Sequence, residues 1–162
     1  MMIEKITISE FEGKQQLYLA TESQIKALID AESNVYAKLA NVAAVLKTNF
    51  DYFWVGFYLK HNSDELIIGP FQGPPACSRI RYGKGVCGKA WELNQTIIVP
   101  DVSTFPGHIA CSAESKSEIV IPILKEGQII GVLDVDSDQL AYFTKEDESG
   151  LERICKIVSD SL

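Results

Sequence analysis

Apolar side chains recur at Ile25, Leu28, Ile29, Val35, Leu39, Val42, Ala43 and Leu46, close to the i, i+3, i+4, i+7 spacing by which a helix presents one face to a core. Thr21 followed by Gln24 reads as a capping box, so the pattern predicts one long amphipathic helix over residues 21–47. Residues 1–20 are weakly patterned and are expected to form an arm or lead-in strand. The period then changes. Residues 53–59 are aromatic and β-branched, which predicts a strand. His61, Asn62, Ser63 and Asp64 supply a turn, and residues 66–69 its returning strand. Residues 70–88 are rich in Gly and Pro and predict a long functional loop. A short helix over 86–93, a strand over 96–99 and a second loop over 100–117 follow. Residues 118–124 and 128–135 flank Glu126-Gly127, a hairpin signal. Thr144 and Asp147 cap a last helix whose inward stripe is Leu151, Ile154, Cys155, Val158 and Leu162.

Helix, hairpin, loop with short helix and strand, hairpin, helix is an α+β order. It predicts an antiparallel sheet with the N- and C-terminal helices on one face and ligand-pocket loops on the other. The 162 residues make one domain, long enough to bury a core without covalent staples. With 46% hydrophobic and 23% charged residues, disordered and collagen-like chains are excluded. A net charge of −7 repels phosphate backbones and anionic lipid, so neither nucleic acid nor membrane is an expected partner. The longest nearly uncharged apolar stretch, residues 53–59, is far short of a membrane span. The N-terminus shows no basic stretch followed by an apolar run, so no signal peptide is read and the expected address is the cytoplasm.

In a reducing compartment the four cysteines need a separate account. Cys77, Cys87, Cys111 and Cys155 contain no C-x-x-C pair, which removes the usual zinc-finger and thioredoxin signatures. Most such cysteines are small buried hydrophobes, and Cys155, on the inward stripe of the last helix, fits that use. The other three fall in loops or at a helix start. Cys87 falls in the first turn of the short helix, where unpaired N–H groups favour a thiolate and lower its pKa. Cys77 follows Gly73-Pro74-Pro75-Ala76, and Cys111 follows Phe105-Pro106-Gly107-His108-Ile109-Ala110. Loop thiols over one sheet face suit attack on a substrate followed by disulfide closure. A zinc site using His108 and Cys111 is the rival, weakened by the lack of a second close-spaced pair.

A group of acids forms the second constellation. Asp134 and Asp136 are two apart on a strand and share a sheet face, and Glu118 begins the partner strand. Gathered at a pocket, such acids would hold a cation or, with a raised pKa, donate a proton; strand-end acids equally often just face water. Trp54 and Tyr58 also share one face, a placement that serves a core or a pocket alike.

Six segments taken together resemble one family. They are Trp54-Val55-Gly56-Phe57-Tyr58-Leu59; Gly69-Pro70-Phe71-Gln72-Gly73 with Ala76-Cys77; Gly83-Lys84-Gly85-Val86-Cys87-Gly88; Phe105 to Cys111; Ser117-Glu118-Ile119-Val120-Ile121-Pro122; and Ile130-Gly131-Val132-Leu133-Asp134-Val135-Asp136. In this order they resemble the free methionine-(R)-sulfoxide reductases, which are stand-alone GAF domains, from about residue 20 to the end. The resemblance implies a single GAF domain over 1–162 that reduces free methionine-(R)-sulfoxide. It makes Cys111 the nucleophile, left as a sulfenic acid, Cys77 the resolving thiol of a Cys77–Cys111 disulfide, and Cys87 a backup or relay thiol. Trp54 and Tyr58 become pocket walls. Glu118, Asp134 and Asp136, with Asp101 as a fainter member, would bind the ammonium and protonate the departing oxygen. Thioredoxin would be the electron donor with no bound cofactor, and a homodimer through the first helix is expected. The other use of such a domain is a small-ligand or redox sensor without catalysis.

Overall fold

The computed structural model describes residues 12–162. Among these, four helices enclose one face and part of the other of a six-stranded antiparallel sheet of order β3-β2-β1-β6-β5-β4. The elements run α1 (Lys14–Ile29), α2 (Val35–Phe50), β1 (Trp54–Lys60), β2 (Glu65–Gln72), β3 (Arg79–Arg81), α3 (Gly85–Leu93), β4 (Ile97–Val99), β5 (Ser117–Lys125), β6 (Gln128–Ser137) and α4 (Lys145–Ser161). A 3-10 turn, Val102–Thr104, lies in the second loop.

The helical region departs from the single helix that the periodicity predicts. The stripe is carried by two helices. The chain breaks after Ile29, and Asn34 restarts it by accepting a hydrogen bond from the Ala37 N–H, which satisfies an orphan donor of the new first turn. Thr21 lies inside α1, not at its start. Its hydroxyl is buried and accepts from Asn49 Nδ2 of α2 at 3.0 Å, so an apparent capping residue is a helix-to-helix contact. Residues 14–20, expected to form an arm, are the first two turns of α1; residues 1–11 of that arm lie outside the described residues.

Sheet alternation sorts the side chains into two layers. Val55, Phe57, Ile119, Ile121, Ile123, Leu133 and Val135 face α2 and α4 in the main core, and α1 packs across those two helices. The opposite face carries Trp54, Tyr58, Val120 and Val132 under α3, whose Val86, Cys87, Ala90 and Trp91 complete a second, smaller core. Residues 70–88 are more regular than their composition implies. β2 continues through Pro70 because the β1–β2 register shifts between Gly56 and Tyr58, and such an irregularity accommodates a residue that cannot donate to the ladder. The short helix, the last hairpin and the Thr144–Asp147 capping box stand where the sequence puts them.

Candidate active site

A cleft opens on the α3 side of the sheet, and its floor is set by strand register. Glu118 of β5 pairs with Asp136 of β6, and Trp54 of β1 pairs with the same Asp136. Strand alternation carries Asp134 and Tyr58 onto the same face. Trp54, Tyr58, Glu118, Asp134 and Asp136 all line the cleft, together with Cys87 from α3 and Cys111 and His108 from the second loop. Asp101 is not among them. Its carboxylate accepts from the Ser103 N–H and hydroxyl, which holds its pKa below the ordinary carboxylate value. Such bonds make it an end cap of the 3-10 turn, apart from the acid group that the resemblance assigns it to.

Cys77 and Cys111 are joined in a disulfide with Cα atoms 5.4 Å apart. Both are partly exposed, so the bridge lies within reach of another protein's thiol. The aromatics of the wall also hold the Cys77 loop. Trp54 Nε1–H donates to the Pro74 carbonyl at 3.0 Å, and the Tyr58 hydroxyl donates to the Cys77 carbonyl at 2.9 Å. The Trp54 and Tyr58 rings are 6.0 Å apart at 26°, which leaves them buried and still facing the cleft. The two uses of these residues are therefore not alternatives.

Desolvation dominates the acids. Burial, and for Asp134 and Glu118 also the neighbouring carboxylates, pushes all three pKa values up. Asp136 rises from 3.8 to about 6, held back by the Ser115 hydroxyl and by His108. Glu118 and Asp134 share a hydrogen bond that favours the proton on Asp134. Asp134 Oδ1 is buried with no partner, an expensive arrangement that a bound ammonium or proton would relieve.

Cys87 behaves unlike its sequence position. It does lie in the first turn of α3, yet it is 3% exposed. Burial, then the charges of Asp134 and Glu118, push its thiol well above the ordinary value, so the helix N-terminus does not make it a thiolate. Cys87, Glu118 and Asp134 bring a sulfur and two carboxylate oxygens within 4.8 Å of one another, and the two carboxylates suit a cation, while the protonated thiol is a poor metal ligand. Cys155 is buried on α4, as its stripe position implies.

Two polar side chains of the cleft stand outside the redox and acid roles read from the sequence. His108, weighed there as a zinc ligand beside Cys111, instead faces Glu118, with Nε2 3.4 Å from Oε2. Ser115 donates to Asp136. The only hint of either is its distance from Cys111, three positions before and four after.

The fold and cleft define a class. Residues 36–162 match the GAF domain family, to which the chain belongs. It is 54% identical, over 98% of its length and all of the relative's, to GAF domain-containing protein A of Dictyostelium discoideum. It is 47% identical to the free methionine-R-sulfoxide reductase of Escherichia coli, over 88% of this chain and 86% of that one. The structure of free methionine-R-sulfoxide reductase from Neisseria meningitidis in complex with its substrate superposes with a TM-score of 0.93 at 46% identity, covering 99% of this chain and 95% of the other. Within the GAF class, the chain thus belongs to the free methionine-R-sulfoxide reductase family.

Proposed function

We propose that the protein reduces free methionine-(R)-sulfoxide to methionine through Cys111, Cys77 and an external dithiol. The observation that carries this reading is the Cys77–Cys111 disulfide at a cleft floored by three buried acids and walled by Trp54 and Tyr58. Two relatives named for this activity support it.

In the first step the Cys111 thiolate attacks the sulfoxide sulfur while a carboxylic acid of the floor protonates the oxygen. Methionine leaves with sulfur reduced, and Cys111 is oxidised to the sulfenic acid. The Cys77 thiol then attacks that sulfur, forming the disulfide and releasing water. A dithiol protein of the thioredoxin class exchanges with the exposed bridge and returns both thiols. No other redox group is needed. Buried acids with raised pKa values match the demand for a proton at oxygen. An ionised member of the same group suits the ammonium of a free amino acid, which peptide-bound methionine lacks. Trp54 offers an apolar face to the S-methyl end. Such chemistry agrees with a cytoplasmic site of action, and no described helix is long and apolar enough to cross a membrane.

Thioredoxin-coupled NADPH consumption with the separate R and S forms of free methionine sulfoxide tests the reading. Turnover of the R form alone, abolished by Cys111→Ser, is the expected result. No turnover of either form by the fully reduced wild type would overturn it.

A further inference from the structure

The three acids of the floor differ in what reaches them from above. Asp136 receives the Ser115 hydroxyl, Glu118 receives His108, and Asp134 keeps an unpartnered oxygen. His108 and Ser115 flank Cys111 on one segment. Ile109 of that segment rests on Gly85, where an added Cβ would come within 3.1 Å of its side chain. The Cys111 segment therefore meets the cleft at four points: one disulfide, one apolar contact and two polar contacts to acids.

In the proposed cycle the disulfide exists only after turnover. During attack, when Cys111 is a free thiol, the covalent anchor to Cys77 is gone. The segment must then be held by Ile109, Ser115 and His108. An attacking sulfur must stand about 3–3.5 Å from its target, and small displacements are costly. Of these contacts, the one from His108 to Glu118 joins a largely shielded ring to a buried carboxylate, at 15% and 7% exposure. His108 is also the only cleft-lining residue, among those described, that can carry a positive charge.

We infer that His108 is a positioning residue: its contact with Glu118 fastens the Cys111 segment over the acid floor while Cys77 and Cys111 are reduced. The inference rests on the reductase reading for its kinetic consequences, though not for the anchor itself. The titratable groups that line the cleft with His108 are Glu118 from β5, Asp134 and Asp136 from β6, Cys87 from α3 and Tyr58 from β1, with Cys111 once reduced. All are acidic or neutral, so a basic ring held among them meets no competing cation in the cleft.

The test uses the full chain carrying His108→Ala, His108→Gln or, as a control, His61→Ala at the exposed turn. Each is assayed with free methionine-(R)-sulfoxide. The same substitutions in a Cys77→Ser background report iodoacetamide alkylation of Cys111, which needs no turnover. His108→Ala is expected to lose about a hundred-fold in kcat/KM and to speed alkylation of Cys111 several-fold. His108→Gln, a neutral donor at the same place, is expected to recover most of kcat and to slow alkylation of Cys111 back towards the wild-type rate. His61→Ala should match the wild type throughout. Unchanged kcat/KM and alkylation rate in folded His108→Ala would overturn the inference. A wild type without turnover but with faster alkylation in His108→Ala would sink the reductase reading and leave the anchor standing.

Discussion

Glu118 and Asp136 are direct cross-strand partners on the cleft face of the β5–β6 ladder. Like charges in facing positions of a sheet repel, and burial adds to the cost of ionising either. The same repulsion that destabilises the fold prepares the cleft for a cation and a transferable proton.

The pH dependence of stability follows from Asp136. Its native pKa of about 6 lies above its ordinary 3.8, so between those two values the native state holds a proton that the unfolded chain has released. Stability therefore falls as pH rises through this window and stays lowered above it. The displacement corresponds to on the order of 1–3 kcal/mol. Glu118 and Asp134 act in the same direction. Asp136→Asn, which still accepts from Ser115, should melt several degrees higher than wild type at pH 7.5, with the gap closing towards pH 4. Thermal melts across pH 4–8 check this, and a gap independent of pH would refute the assignment. Activity should fall in the same variant, because acids strained for function are stabilised by removal.

The three cleft thiols should separate in a single-turnover experiment without external reductant. Reduced wild type is expected to release one methionine per chain and end with the Cys77–Cys111 disulfide. Cys77→Ser should also release one, ending as a sulfenic acid that dimedone traps. Cys111→Ser should release none. Cys87→Ala should behave as wild type, because its thiol is buried and its pKa raised, leaving little thiolate to attack anything. A Cys77→Ser protein that accumulates a Cys87–Cys111 disulfide at the wild-type rate would show that Cys87 can move out of its packing.

Gly56 is the empty position between Trp54 and Tyr58 on β1. A Cβ there would sit 2.3 Å from Phe71 Cβ and 2.6 Å from the Trp54 ring. Gly56→Ala must push Trp54 out of its place against Phe71, where the rings stack at 5.3 Å. We expect a loss of about 1–3 kcal/mol in stability, as in other overpacked cores, and a raised KM with a smaller change in kcat. Chemical denaturation with steady-state kinetics measures both. An unchanged KM would mean that Trp54 does not meet the substrate.

Much of this site is legible from residue spacing, because strand alternation is local. Trp54 with Tyr58, and Asp134 with Asp136, are placed on common faces by their even separation alone. What spacing cannot give is depth. Cys87 lies at a helix N-terminus, as read, but its burial, and then the acids of β5 and β6 packed against it, reverse the sign of its pKa shift. Asp101 and Thr21 are polar residues at suitable positions whose bonds go elsewhere. His108 and Ser115 reach the acids only because the second loop folds back over the sheet, and loop paths leave no periodic trace. The two-helix N-terminal half was hidden for a related reason: the apolar stripe passes across the break before Asn34 almost in phase.

Away from the cleft, Asp147 should carry the stability of the helix layer. Its side chain is fully buried. One oxygen accepts from the Tyr18 hydroxyl at 2.8 Å; the other accepts from Lys14 Nζ and the Thr144 N–H, both at 2.8 Å, and from the Thr144 hydroxyl at 3.1 Å. Tyr18 in turn shares a 2.7 Å hydrogen bond with Tyr52, so one carboxylate ties α1, α4 and the start of β1 together. Removing a partner from such a buried charged group costs about 3–5 kcal/mol. Asp147→Ala is expected to lose about that much in urea denaturation, and Tyr18→Phe about 1 kcal/mol. Because they share one hydrogen bond, the two losses should not add: the double variant should fall short of their sum. The network lies on the helix side of the sheet, so KM of the folded Asp147→Ala protein should match wild type at low temperature. Additive losses would show that Asp147 acts through its helix cap alone, and a raised KM would show that helix packing is felt across the sheet in the cleft.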